Sequence, residues 1–283
     1  MIYSVESLVD YINWMYFYHA WGLTAQSSEK EEEEKRRLRS EADELLHKMA
    51  AQTKVQALVK LYPANSDGDD IVLYTHTHDH EKGLTTVQPF RLPLLRQQQP
   101  SADGCCYCLA DYVCPQPTDG SSLGRDTVGV FATSVSSTYP CSNTYEELLL
   151  QTLNDRLAEA SAERLPRYVR RTLWGYAPNE QLTMADLHAE RFQGIRPAVG
   201  YPSLPDMSLN FLLDELLDFS QMGVRLTEHG MMQPHASVSG LMLSHPKAHY
   251  FSIGRISQQQ LEDYARRRNI AVEKLRPYLA GNL

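Results

Sequence analysis

The order in which helical and strand-like patterns follow one another constrains the fold of this 283-residue chain most strongly. Apolar residues at helical spacing predict helices over residues 5–21, 29–51, 145–174, 209–219, 258–269 and 272–279, and β-like runs cover residues 71–77, 127–133, 236–244 and 249–256. These patterns show no regular βαβ alternation, so they predict an α+β fold with an antiparallel sheet. No break in composition divides the chain. We therefore predict one domain over residues 1–283, whose N-terminal part is helical to about residue 55.

Composition and charge exclude several classes of function. The chain has 35 acidic and 27 basic side chains, and a formal net charge of −8 argues against a nucleic-acid partner. No apolar run approaches the roughly 18 residues that a membrane span needs. The N-terminus lacks the pattern of a secretory signal. We expect a soluble, cytoplasmic protein whose five cysteines are reduced and whose partners include no membrane.

Two clusters of side chains could in principle bind a metal. The run THTHDH places His76, His78 and His80 on one face of a predicted strand, where three imidazoles could bind zinc or copper. A polar strand end exposed to solvent explains the same pattern, and we favour that interpretation. The second cluster contains Cys105, Cys106, Cys108 and Cys114. Its spacing does not fit a standard zinc knuckle, and we interpret these cysteines as part of a buried helix. We predict no metal site.

The sequence GIRPAVGYP at residues 194–202 is the strongest candidate for a binding loop. Two prolines and two glycines fix an irregular backbone and allow a ligand to approach closely. Arg196 in this loop offers two parallel donors that match a carboxylate. The loop could therefore bind a small carboxylate ligand. It could equally be a structural turn in which Arg196 pairs with a neighbouring aspartate or glutamate, and the residues alone leave both interpretations open.

Eight short segments along the chain resemble one protein family. They are LYPAN…GDDI at residues 61–71, YCLADYV at 107–113, LNDRLAEA at 153–160, WGYAPNE at 174–180, RPAVGYP at 196–202, ASVSG at 236–240, SHP at 244–246 and EDYARR at 262–267. Their order and content resemble the activation domain of cobalamin-dependent methionine synthase. The resemblance implies a single C-shaped α+β domain, with a twisted antiparallel sheet flanked by helices. It also implies a groove at the sheet edge that binds S-adenosylmethionine.

The resemblance also assigns roles to individual residues. It implies that Arg196 holds the methionine carboxylate and that Tyr201 lies close to the corrin face, where it would take part in the reaction. Backbone groups of Ala198, Gly200 and Tyr201 are implied to contact S-adenosylmethionine. The other residues implied to contact it are Glu159, Tyr250 and Asn13.

Two positions depart from the family pattern. Asn13 stands where the family commonly has an aspartate, so a charge is lost, and Asp10 about one turn earlier could substitute for it. Met207 stands where some members have a histidine that contacts the displaced cobalt-ligand histidine. A thioether is a weak acceptor and cannot replace that hydrogen bond well.

The implied function is the reactivation of a corrinoid enzyme. In the family, oxidised cobalamin takes one electron from a flavodoxin-like donor and then accepts the methyl group of S-adenosylmethionine. The chain contains no DxHxxG cobalamin-binding signature. We therefore expect the cobalamin to be bound by a separate methionine synthase chain. The alternatives are a reactivator of another corrinoid methyltransferase and a non-catalytic, S-adenosylmethionine-binding regulatory module.

Overall fold

An open antiparallel sheet organises the structure, and helices lie against it. The computed structural model describes residues 1–23, 28–79, 84–117 and 124–283, without the side chains of residues 77–79, 84, 85 and 188. The strands are β1 Ile2–Tyr3, β2 Thr53–Asp67, β3 Asp70–Asp79, β4 Leu84–Pro93, β5 Asp126–Ser137, β6 Arg225–Leu226, β7 Met232–Gln233 and β8 Ser237–Met242. Within the described residues, six strands form one antiparallel sheet in the order β4-β3-β2-β5-β8, with β1 also paired to β2. Strands β6 and β7 pair separately.

The described residues form seven α-helices, five of which begin at a side chain that accepts a hydrogen bond from a free amide of the first turn. They are α1 Trp14–Ala20, α2 Glu29–Met49, α3 Thr144–Tyr168, α4 Met184–His188, α5 Leu209–Leu217, α6 Gln258–Arg268 and α7 Val272–Leu275. Ser28 and Glu31 form a reciprocal capping box at the start of α2. Asn143 accepts a hydrogen bond from the amide of Glu146 at the start of α3. A π-helical turn, Val169–Leu173, extends α3 toward the loop that follows it.

Both faces of the central strands are buried, because alternate side chains point to opposite sides and helices pack against each side. On β2, Val55 and Ala57 join a cluster with the apolar residues of α1, α2 and α3. Farther along the same strand, Tyr62 and Ala64 belong to a second cluster that includes residues of α5, α6 and α7. Burial on both faces holds the middle of the sheet rigid, so that β8 offers a stable edge to the residues beyond it.

The structure confirms the predicted α+β class, with an antiparallel sheet flanked by helices. Several elements differ from the prediction. The helix expected over residues 5–21 is broken, because a 3-10 turn, Glu6–Tyr11, ends before Asn13 caps α1. The run at residues 249–256 is not a strand in the structure. Strand β4 and most of the long strand β2 were not predicted. A single domain over residues 1–283 stays a prediction.

The clusters considered as metal ligands are only partly described. Cys108 is fully buried beside the 3-10 turn Leu109–Tyr112, whereas Cys105 and Cys114 are exposed, so the predicted buried helix is wrong for most of the cluster. His76 is exposed on β3, the side chain of His78 is not described, and His80 lies outside the described residues. Among the described residues, no group of three or more histidine, cysteine or acidic side chains is arranged to hold a metal. The described helices include none long and apolar enough to cross a bilayer.

Candidate functional site

The loop at residues 194–202 lies along the outer edge of β8. Val199 donates its amide to the carbonyl of Ser239 at 2.9 Å, and Leu241 donates its amide to the carbonyl of Pro197 at 3.0 Å. The loop therefore continues the antiparallel ladder for a few residues beyond the last strand. This pairing fixes the loop on the rigid sheet and explains why an irregular sequence takes up one conformation.

Two glycines permit the loop to pack this closely. A Cβ atom on Gly240 of β8 would lie 2.2 Å from the carbonyl oxygen of Pro197 and 2.8 Å from Cα of Ala198. Gly200 has a φ of +87°, and a Cβ there would lie 2.6 Å from the sulfur of Met207. Gly240 is thus required for contact between loop and sheet. Gly200 is required for the turn and for the packing of Met207 beneath it.

We expect Gly240→Ala to separate the loop from the sheet edge. The added methyl group meets backbone atoms, which cannot rotate away, so the substitution should lower the free energy of unfolding by about 1–3 kcal/mol. The amide of Val199 should also exchange faster with solvent, because its ladder hydrogen bond is lost. Urea unfolding and amide hydrogen exchange measure the two effects. Gly281→Ala is the matched control, since its Cβ would meet open space. Unchanged exchange at Val199 would contradict the assigned role of Gly240.

The backbone amides of the loop are not equally available to a ligand. Gly200 donates its amide to Leu204 at 2.8 Å, and Tyr201 donates its amide to Ala198 at 3.2 Å. Ala198 faces Gly240 as a pair that exchanges no hydrogen bonds, so its amide points away from the sheet. Of the three backbone positions predicted to meet a ligand, Ala198 therefore offers the outward-facing amide, whereas those of Gly200 and Tyr201 stabilise the loop.

A cavity of about 890 Å³ opens beside this loop. Its walls come from the loop, from α1 and the residue before it, from one face of α3, and from the segment at residues 250–252. Among the described residues, those that matter for its chemistry are Asn13, Arg156, Glu159, Glu163, Glu190, Arg196, Ala198, Tyr201 and Tyr250. The structure thus brings together six of the seven predicted site residues. Gly200 does not line the cavity.

Three charged side chains of α3 face the cavity in one row. Arg156, Glu159 and Glu163 follow at spacings of three and four residues, which place them on one side of a helix. Arg156 donates to Glu159 at 2.8 Å. The family resemblance assigns a role to Glu159 alone of these three. The helical spacing from Glu159 was the signal that could have identified Arg156 and Glu163.

Arg196 faces the cavity and also pairs with a carboxylate. Its guanidinium contacts Glu163, and about 20% of the Arg196 side chain is exposed. Its backbone amide donates to the Tyr250 hydroxyl at 3.1 Å. The Nε atom of Arg196 is buried and has no hydrogen-bond partner among the described residues. Of the two interpretations that the sequence left open, the structure shows the pair with a neighbouring glutamate, and binding of a ligand carboxylate stays a prediction. A buried donor without a partner favours binding of an acceptor from outside.

Burial in the cavity shifts the ionisation of its acidic groups. The pKa of Glu159 is raised because burial disfavours its charged form, although nearby Arg156 and Arg196 oppose the shift. The pKa of Glu190 is raised by burial as well. Glu190 also has a φ of +55°, an uncommon conformation for a residue with a side chain. Desolvation raises the pKa of Tyr250. A ligand with positive charge would therefore offset the cost of burying the ionised carboxylates of Glu159 and Glu190.

Asn13 and Met207, the two residues that depart from the family pattern, each line a cavity. The side chain of Asn13 lines the cavity and accepts a hydrogen bond from the amide of Met15 at 3.2 Å, so it also caps α1. Asp10 is exposed and does not line the cavity. Met207 lines a smaller neighbouring cavity of about 250 Å³, which shares Tyr201 with the larger one. Asp10 is therefore not placed to substitute for a charge at Asn13.

The described walls of the larger cavity hold three carboxylates against two guanidiniums. Such a set suits a ligand that has one carboxylate and two positive charges. The volume lies within the usual range for sites that bind small molecules and cofactors. The exposed ring of Tyr201 stands at the rim, with about half of its surface accessible, so a second molecule could meet the ligand there.

Comparisons with known proteins agree with this geometry. The model of the family described as "Vitamin B12 dependent methionine synthase, activation domain" matches residues 4–269. A solved structure described as "Crystal Structure of the MetH Reactivation Domain bound to AdoHcy" is similar to this chain, with a TM-score of 0.88 and 36% sequence identity. The similarity covers 100% of this chain and 89% of that chain.

Proposed function

The chain belongs to the family of activation domains of vitamin B12-dependent methionine synthase, and from this premise we propose that it binds S-adenosylmethionine and presents the methyl group to a corrinoid. The observation that carries the proposal is the position of Arg196. It lies in a loop fixed to the sheet edge, and it lines a large cavity with a buried Nε that has no partner among the described residues. The similar structure described as bound to AdoHcy supports the choice of an adenosyl ligand.

The cavity and the proposed ligand are chemically complementary. S-adenosylmethionine carries a sulfonium, an ammonium, a carboxylate, a ribose diol and an adenine ring. We assign its carboxylate to Arg196, because a guanidinium offers paired donors to a carboxylate. The outward-facing amide of Ala198 is available to an acceptor on the ligand. Glu159 and Tyr250 complete the walls around it. Asn13 contributes an uncharged polar group at the α1 side.

The chain acts by binding and orienting the methyl donor. The corrinoid, bound by a cobalamin-binding methionine synthase chain and reduced by a flavodoxin-like donor, supplies the nucleophile that accepts the methyl group. Holding two reactants in a productive orientation can lower a barrier by about 7–11 kcal/mol. To Tyr201, which is exposed, we assign packing against the corrin, a contact that would fix the approach of the two molecules. A methyl transfer from a sulfonium requires no general acid or base from this chain.

A calorimetric titration tests the proposed function. We expect S-adenosylmethionine to bind the wild-type chain with a stoichiometry of one, since the described residues form one large cavity that contains Arg196. S-adenosylhomocysteine should bind at the same site and compete. If neither compound binds, the proposed function is wrong, whatever the other experiments show.

Affinity for S-adenosylmethionine should depend on pH through Glu159. Burial raises the pKa of this carboxyl group above its ordinary value, and a cationic ligand binds its ionised form better. Affinity should therefore be greatest above the raised pKa and should fall as the pH drops through it, with Glu190 contributing in the same direction. Titrations between about pH 5 and pH 8 measure this dependence. Glu159→Gln should bind more weakly at high pH and should flatten the profile. An equally steep profile in that variant would contradict the assignment.

A further inference from the structure

The contact between Arg196 and Glu163 suggests how the cavity recognises an amino acid. We propose that the two side chains act together to select a zwitterion, with Arg196 binding the ligand carboxylate and Glu163 binding its α-ammonium. The inference rests on the proposed function and extends it, because it names the residue that makes the site selective for an intact α-amino acid group. Glu163 thereby becomes a specificity-determining residue of the cavity.

The position of Glu163 matches the geometry of an amino acid. The ammonium and carboxylate of an α-amino acid are attached to one carbon atom, so their binding partners must be neighbours. Among the described residues, Glu163 is the carboxylate that forms an ion pair with Arg196. Both side chains are about four-fifths buried, and both line the cavity. A ligand whose carboxylate reaches Arg196 therefore brings its ammonium next to Glu163.

Electrostatics explain why the ligand needs both charges. Glu163 already neutralises Arg196, so a ligand that carried a carboxylate alone would meet a second negative charge close by. In a partly buried site this repulsion is stronger than in water. An ammonium on the same ligand removes the repulsion and replaces the contact that Glu163 loses. The ion pair between Arg196 and Glu163 is thus exchanged for two ion pairs with the zwitterion.

The other polar groups of the cavity are less suited to the ammonium. Glu159 is already paired with Arg156 at 2.8 Å. Asn13 has no charge, and its side-chain oxygen accepts the amide of Met15. Glu190 adds negative charge to the cavity, but its described contacts include no ion pair with Arg196. The carboxylate in direct contact with the guanidinium is the one placed to bind a group attached to the same carbon.

The experiment compares two ligands on two forms of the full chain by calorimetry. The ligands are S-adenosylmethionine and its analogue in which a keto group replaces the α-ammonium. The wild-type chain should bind S-adenosylmethionine at least tenfold more tightly than the keto analogue. Glu163→Gln should bind S-adenosylmethionine at least tenfold more weakly than the wild type. It should also lose most of the preference for S-adenosylmethionine over the keto analogue. Glu163→Asp, which keeps the charge, should restore part of it.

The matched control is Glu147→Gln, an exposed glutamate of the same helix that does not line the cavity. It should leave both affinities unchanged. Discrimination that persists in Glu163→Gln would overturn the inference. Tighter binding of S-adenosylmethionine by that variant would also overturn it, because Glu163 would then only compete with the ligand carboxylate. If Glu163→Gln fails to fold, Glu163→Ala replaces it, and discrimination by that variant equal to that of the wild type contradicts the inference. Absence of binding by the wild type defeats the proposed function itself.

Discussion

Arg196→Ala should weaken the binding of S-adenosylmethionine by roughly 10- to 100-fold. A hydrogen bond to a charged group contributes about 1.5–3 kcal/mol, and the substitution removes every donor that the guanidinium offers the ligand carboxylate. It also leaves Glu163 in a partly buried position without its partner. The backbone of the loop should persist, because its ladder hydrogen bonds to β8 involve other residues. Calorimetric titration gives the affinity, and circular dichroism verifies the fold.

Arg191→Ala is the matched control for this prediction. Arg191 lies near the same loop, but about 72% of its side chain is exposed, and its pair with Asp186 is outside the cavity. Its removal should change the affinity by less than twofold. An Arg196→Ala variant that folds and binds S-adenosylmethionine as tightly as the wild type would show that the ligand carboxylate is held elsewhere.

A large effect on stability is expected from the buried pair of Arg170 and Glu180. The guanidinium donates to the carboxylate twice, at 2.6 and 2.8 Å, and both side chains are more than nine-tenths buried. Removing one partner leaves an uncompensated charge in the interior, which costs about 3–5 kcal/mol. Glu180→Met should therefore lower the free energy of unfolding by that amount, as measured by urea denaturation.

A double substitution distinguishes the buried charge from simple loss of contacts. Arg170→Met combined with Glu180→Met leaves no charge behind, so it should be less destabilised than Glu180→Met alone. Glu34→Ala provides the control, because its pair with Arg37 is exposed and should contribute less than about 1 kcal/mol. If the double variant loses more stability than Glu180→Met, the destabilisation does not arise from an unpaired buried guanidinium.

The same pair explains part of a motif that the sequence could not interpret. Glu180 ends the segment WGYAPNE, and its contact with Arg170 folds that segment back on the end of α3. Within the segment, the hydroxyl of Tyr176 lies close to Gly194, at the start of the binding loop. The motif therefore packs against the start of the loop and helps to hold it in place. A similarity between sequences marks such a segment without showing whether it binds a ligand or holds the fold.

The sequence predicted the fold class because amphipathic helices leave a clear periodic pattern. The apolar stripe of α2 and the long α3 appear in the structure as expected. Strand β2 was missed because its buried positions change from odd-numbered residues, such as Val55 and Ala57, to even-numbered ones, such as Tyr62 and Ala64, so one alternation does not run along the whole strand. The run at residues 249–256 has the composition of a strand. However, the amides of Phe251 and Ile253 donate to the loop residues Ser203 and Pro202, and the amide of Ile256 donates to Asn282, so the run does not pair with a neighbouring strand.

The site was predicted in outline from the loop and the resemblance. Arg196, Ala198 and Tyr201 lie together because a short stretch of chain carries all three. Glu163 follows Glu159 by one helical turn and could have been assigned from that spacing. Glu190 could not be assigned from sequence, since its position depends on how the segment before the loop packs against the cavity. The availability of each backbone amide likewise depends on the register between the loop and β8, which a single sequence does not specify.

Formation of methylcobalamin is the measurement that tests the central claim most directly. The chain is mixed with a cobalamin-binding methionine synthase chain that carries cob(II)alamin, a reductant and S-adenosylmethionine, and the visible spectrum is followed. We predict that the spectrum of methylcobalamin appears only when this chain is present, and that Arg196→Ala slows its appearance. If the chain binds S-adenosylmethionine but leaves the rate of methylcobalamin formation unchanged, it does not present the methyl group, and a regulatory module is the better description.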